Sequence, residues 1–153
     1  MAKTILVPYD SSDNAKKALK WAVDFAKLTG LRLQVMNIQP SFRTVHAKAF
    51  FNRGDVEEYQ TQLFKEATEG VDTMLNETGV PYELSMGAGD PKECLIDFVL
   101  QSKTTENPVE LIVMGSRGTN PFFGGVLGSV SYAMINAGVC PVTIIPQMKE
   151  HDQ

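Results

Sequence analysis

The chain has 153 residues, sets 14 Lys and Arg against 18 Asp and Glu for a formal charge of −4, and is 43% apolar with 2 Cys. A chain of about 150 residues buries roughly 70% of its unfolded surface, so one domain with its own core is expected across 1–153 and a disulfide-stapled miniature fold is excluded. The mildly acidic balance, with no run of Lys or Arg, offers little attraction to nucleic acid, and no stretch of about 18 apolar residues offers a membrane span.

Met1-Ala2-Lys3-Thr4 enters at once into the strand-like Ile5-Leu6-Val7 without a separate hydrophobic leader, so a soluble cytoplasmic protein is expected. Thr4 to Val7 is the first strand candidate. Ala15, Ala18, Leu19, Ala22, Val23, Phe25 and Ala26 then recur at helical spacing, with Lys16, Lys17, Lys20 and Asp24 on the other face. This helix starts in Asp10-Ser11-Ser12-Asp13, residues able to cap its first N–H groups, and ends at Gly30.

Leu31 to Ile38 forms the second strand candidate. Gln39 to Asn52 carries no sustained period and is expected to be a loop, mobile or covered by a partner. From Asp55 to about Thr78 the positions Val56, Tyr59, Leu63, Ala67, Val71, Met74 and Leu75 predict one long helix closing at Gly79. Val80 to Met86 is the third strand candidate. Asp90 as cap and Pro91 in the first turn open a helix through Leu95, Ile96, Phe98 and Val99. Val109 to Met114 is the fourth strand candidate; Leu127, Val130, Met134 and Ile135 predict a further helix, stopped by Gly138 and Pro141, and Val142 to Ile145 the last strand.

Strands alternating with helices predict an α/β fold: a doubly wound parallel sheet with helices on both faces. In such sheets ligands sit beyond the carboxyl ends of the strands where strand order reverses, which directs attention to the residues after the first and fourth strands. Cys94 and Cys140 lie far apart without a Cys-x-x-Cys pattern and read as buried apolar residues. His46 and His151 are too isolated to suggest a metal site.

After the fourth strand, 5 of the 12 glycines fall between Gly115 and Gly128. Without a Cβ, successive N–H groups can turn toward one anion, and the loop feeds a helix whose N-terminal dipole favours negative charge. A phosphate cradle is one reading, with Ser129 donating its hydroxyl and Arg117 pairing with phosphate or lying in solvent; a loop that only turns the chain is the other. There is no Gly-x-x-x-x-Gly-Lys-Ser/Thr and no Gly-x-Gly-x-x-Gly after the first strand. Without a phosphate-binding lysine or an obvious general base in the loop, the pattern suits holding phosphates better than cleaving them. Asp10, at the carboxyl end of the first strand, could accept a hydrogen bond from a ribose, help hold Mg²⁺, or simply cap the helix that follows. Tyr9 and Ile38 could offer apolar surface to a base.

The spacing Gly115-x₂-Gly118-x₉-Gly128-Ser129 resembles that of the nucleotide-binding subset of the universal stress proteins. Ile5-Leu6-Val7-Pro8-Tyr9-Asp10-Ser11-Ser12, Leu111-Ile112-Val113-Met114-Gly115-Ser116-Arg117-Gly118 and Cys140-Pro141-Val142-Thr143-Ile144-Ile145-Pro146 resemble hallmark stretches of that family, in the same order and over essentially the whole chain. The resemblance implies a five-stranded parallel sheet of the adenine nucleotide alpha hydrolase-like type, a homodimer, and ATP, with Mg²⁺ on its phosphates near Asp10, between the ends of the first and fourth strands. It would set Asp10 at the ribose or adenosine side and Pro8, Tyr9 and Ile38 around the base. Met114, Gly115, Arg117, Gly118, Gly128, Ser129 and Val130 would meet the ribose and phosphates.

Two departures from the family pattern stand out. Asp10-Ser11-Ser12 replaces the Asp-Gly-Ser of many members, and Asn120-Pro121-Phe122-Phe123-Gly124-Gly125 replaces a spacer often basic and leucine-rich, so the rim of the loop carries less positive charge. The last strand (Val142, Thr143, Ile144, Ile145) is short and apolar and would lie at a sheet edge, where unpaired N–H and C=O groups invite a second copy of the chain. The family's usual dimer through that strand agrees with this. The preferred reading is an ATP-binding regulatory or sensing module. A slow Mg²⁺-dependent ATP hydrolase and an interaction protein with a vestigial pocket and the exposed pair Phe122-Phe123 are the alternatives.

Overall fold

The chain alternates β1 (Thr4–Pro8), α1 (Asp13–Thr29), β2 (Arg32–Gln39), α2 (Arg53–Ala67), α3 (Val71–Thr78), β3 (Tyr82–Ala88), α4 (Pro91–Ser102), β4 (Val109–Gly115), α5 (Ser129–Ala137) and β5 (Val142–Ile145). The structure is a computed structural model and describes residues 3–39, 53–116 and 127–147; of the loop expected over Gln39 to Asn52, Gln39 instead ends β2 and 40–52 lie outside the described residues, as does the interior of the glycine loop. The strands form one parallel sheet in the order β3-β2-β1-β4-β5. The chain therefore steps outward from β1 to β3, returns to the other side of β1 and steps outward again to β5. Strand order reverses between β1 and β4.

Local chemistry sets the helix boundaries. The Ser12 hydroxyl oxygen accepts the Ala15 N–H at 3.1 Å and so caps α1, and Gly30 ends the helix in the left-handed region at φ 80°. Asp90 caps α4 by accepting the Lys92 N–H at 2.9 Å, with Pro91 in the first turn as expected. The single helix expected over Asp55 to Thr78 is instead two. The Thr68 hydroxyl donates to the Phe64 carbonyl at 2.7 Å, the Val71 N–H donates to the Thr68 carbonyl at 3.0 Å, and Gly70 turns the chain at φ 78°. Val71 and Leu75 of α3 reach the core, whereas Val56 and Leu63 of α2 are half-buried and Tyr59 is exposed. Leu127, expected on the α5 face, precedes the helix and is exposed, as is Ile135.

Each sheet face carries its own core, as a doubly wound fold requires. Ile5, Val7, Leu33, Val35 and Val113 pack against α1 and, through Val71 and Leu75, against α3. Leu6, Met36, Ile112 and Met114 pack on the other face against Leu95 and Val99 of α4 and Met134 of α5. The cysteines are half-buried rather than buried, and the Cys94 thiol donates to the Ala88 carbonyl at 3.2 Å. Among the described residues no helix is long and apolar enough to cross a membrane.

Candidate functional site at the carboxyl ends of β1 and β4

The rim at the strand reversal is built from three segments: the turn after β1, the end of β2, and the two ends of the glycine loop. Alternation along β1 sends Leu6 to the α4/α5 face and Val7 to the α1 face, so Pro8 shares the side of Leu6 and Tyr9 turns the other way. Tyr9 is 6% exposed within the core beneath α1. Ile38 packs against the α4/α5 core. The two residues expected to form one surface for a base thus lie on opposite faces; Ile38, Met114 and Val130 share a face, the one to which alternation along β1 also assigns Pro8. Burial, and secondarily the charge of Asp10, raise the Tyr9 phenol above its ordinary value.

Asp10 is exposed and does not cap α1, because Ser12 does. Its carboxylate accepts the Ser12 N–H at 3.0 Å. Between them Ser11 has φ 64°, the left-handed region, where a side chain costs on the order of 1 kcal/mol. The turn is fastened to β2 twice: the Tyr9 N–H donates to the Met36 carbonyl at 2.9 Å, and Asn37 Nδ2 donates to the Tyr9 carbonyl at 2.8 Å.

On the β4 side, Met114 is buried and Gly115 ends the strand. The Ser116 N–H donates to the Ile145 carbonyl at 3.1 Å, and the Gly128 N–H donates to the Ser116 carbonyl at 2.7 Å, so the two ends of the glycine loop meet at one hydrogen bond. Ser131, 2% exposed, donates its hydroxyl to the Gly115 carbonyl at 2.9 Å and ties the first turn of α5 to β4. Gly128 stands at the N-cap of α5 with no side-chain cap, no acidic residue lies in the first turn, and Ser129 is exposed. The helix start therefore presents N–H groups and a positive dipole end to whatever lies at the rim. Arg117, Gly118, Phe122 and Phe123 lie outside the described residues.

An exposed carboxylate after the central strand and an uncapped helix start after its neighbour form a donor and acceptor set suited to a ligand with both hydroxyls and anionic groups. Among the described residues no group of three or more His, Cys, Asp or Glu is gathered for a metal. Sequence reading singled out neither Asn37 nor Ser131 and assigned Gln39 to a loop, whereas Gln39 is the buried last residue of β2. Their signal was polar side chains in an otherwise buried strand and on an otherwise apolar helix face, which periodicity alone does not rank.

Fold and site together define a doubly wound α/β domain with its candidate site at the β1/β4 reversal. A family model described as the universal stress protein family matches residues 1–146, and the chain belongs to that family. A curated relative from Thermus aquaticus, named as a universal stress protein, is 32% identical over 146 residues, covering 95% of this chain and 99% of its own. The universal stress protein UspA from Lactobacillus plantarum superposes with a TM-score of 0.69 at 25% identity, covering 94% of this chain and 97% of its own. Two more distant structures share the fold. One is a family member from Arabidopsis thaliana with AMP bound, with TM-score 0.64, 16% identity and 97% and 93% of the two chains covered. The other is a universal stress protein in complex with cAMP, with TM-score 0.60, 20% identity and 95% and 97% covered.

Proposed function

We propose that this protein is a cytoplasmic, homodimeric regulatory module of the stress response that binds ATP at the carboxyl ends of β1 and β4. The observation that carries the reading is the start of α5: a nine-residue helix with glycine at its N-cap, no side-chain cap and no acidic first-turn residue, held against β4 at the strand reversal. That is a place where N–H groups and dipole favour phosphate. In this reading Gly115, Gly128, Ser129 and Val130, with Arg117 and Gly118 of the intervening loop, receive the phosphates and ribose. Asp10 takes a ribose hydroxyl or helps hold Mg²⁺ carried by the phosphates. Pro8, Ile38 and Met114 form the apolar side toward the base, and Tyr9 supports them from the opposite face. AMP and cAMP in structures of the same fold support the class of ligand.

Dimerisation rests on β5. All four of its residues are half-exposed and none is charged, whereas β3 at the other edge carries an exposed Glu83. An uncharged edge of this kind is suited to pairing with a second copy.

Calorimetric titration of nucleotide-stripped protein with ATP and Mg²⁺, beside the double variant Gly118→Val, Ser129→Ala, tests the nucleotide reading. Saturable binding that the variant loses supports it. No heat up to millimolar ATP in the unsubstituted protein sinks it.

A further inference from the structure

Asn37 and Gln39 are buried polar residues on the carboxyl end of β2, at 3% and 7% exposure, where each must satisfy its carboxamide within the protein. They do so in series. Gln39 Nε2 donates to Asn37 Oδ1, and Asn37 Nδ2 donates to the Tyr9 carbonyl at 2.8 Å; separately, the main-chain carbonyl of Gln39 accepts the Gly89 N–H at 2.9 Å. The side-chain series links the turn after β1 to the end of β2, and the main-chain bond ties the end of β2 to the turn before α4. At its far end stands the most strained backbone of the described residues. Ser11 is the one non-glycine residue there with positive φ, a conformation that glycine adopts at no steric cost. A side chain persists in that region only where its surroundings over-determine it.

We propose that Asn37, backed by Gln39, is a positioning residue for the nucleotide site. By fixing the Tyr9 carbonyl it holds the left-handed turn at Ser11, and through that turn the Asp10 carboxylate, in the arrangement that meets the ligand. Asn37 does the work that glycine at position 11 would make unnecessary. The inference rests on the nucleotide reading above for its functional half and on the hydrogen-bond series for its structural half, and the two halves are read by different measurements.

The experiment compares the unsubstituted protein with Asn37→Ala, Ser11→Gly and Asn37→Ala, Ser11→Gly. The conformation of residue 11 in the ligand-free protein is read from its Cα shift and its amide-to-α-proton coupling by NMR, and ATP affinity in the presence of Mg²⁺ by calorimetry. Asn37→Ala is expected to move Ser11 out of the left-handed region and weaken ATP about tenfold, the loss of one buried hydrogen bond to the turn. Ser11→Gly alone is expected to keep the affinity, and combined with Asn37→Ala to restore most of it. A residue that merely stabilises the fold would not be rescued in this way. Unchanged Ser11 geometry in Asn37→Ala, or affinity lost in Asn37→Ala and not recovered with glycine at position 11, overturns the proposal. If the unsubstituted protein binds no ATP, the nucleotide reading fails, and the NMR comparison alone decides whether Asn37 holds the turn.

Discussion

Ser131 donates its hydroxyl to the main-chain oxygen of Gly115 across 2.9 Å, joining a helix start to the last residue of the strand beside the central one. Ser131 is 2% exposed and Gly115 half-buried. Ser131→Ala leaves the Gly115 carbonyl without this donor, and an unsatisfied buried acceptor costs about 1 to 3 kcal/mol. Urea unfolding should show a loss in that range, with ATP affinity weakened as α5 loosens from β4. Stability unchanged within error would mean that the bond contributes nothing to the site's framework.

The break between α2 and α3 gives a second test. Gly70 has φ 78°, and a Cβ built there meets nothing within 4 Å, so the cost of a side chain is purely conformational. Gly70→Ala should destabilise the protein by about 1 kcal/mol, read as a shift in the urea midpoint at constant slope. A stabilised Gly70→Ala would show that α2 and α3 run on as one helix in solution.

The buried phenol of Tyr9 gives a test against pH. Its value lies above the ordinary 10.0, through burial first and the charge of Asp10 second, so the folded chain holds the proton to higher pH than the unfolded chain does. Stability from this group is complete below about pH 10 and falls as pH rises through the folded value. Tyr9→Phe should therefore flatten the decline in unfolding free energy above about pH 10. An identical decline in both proteins would place the loss elsewhere.

Much of this architecture is written in the periodicity of the chain. The continuous apolar runs and the helical spacing that locate β1, α1, β4 and β5 follow from burial on two faces or one, and caps such as Ser12 and Asp90 mark ends through local chemistry. What escaped was information carried across space. Ala67, Val71 and Leu75 keep helical spacing straight through the turn at Gly70, so hydrophobic pattern alone reports one helix where the backbone makes two. Tyr9 and Ile38 are both apolar and both near strand ends, yet only the pleat decides that they face opposite ways. Asn37 and Ser131 look like interruptions of apolar runs until their partners, the carbonyls of Tyr9 and Gly115, are brought to them by strands distant in sequence.

The edge strand gives a further test. The Ile112 N–H donates to the Pro141 carbonyl at 3.0 Å and the Ser116 N–H to the Ile145 carbonyl at 3.1 Å, so these residues turn toward β4. Peptide groups alternate sides along a strand, so Val142 and Ile144 turn their N–H and C=O groups to the outer edge. Ile144→Pro removes an outward N–H and leaves the bonds to β4 in place. Sedimentation equilibrium should find the unsubstituted protein at twice the chain mass and Ile144→Pro largely at the chain mass. A variant that stays dimeric would move the interface away from β5.

The central claim is that the rim at the ends of β1 and β4 receives ATP, and residue-resolved NMR titration of the ¹⁵N-labelled protein with ATP and Mg²⁺ tests it most directly. The account predicts saturable shifts concentrated at Asp10, Ile38, Gly115, Gly128, Ser129 and Val130, with the amino-terminal ends of the strands around Thr4 and Arg32 unmoved. Shifts confined to another surface, or none at millimolar ATP, would contradict it.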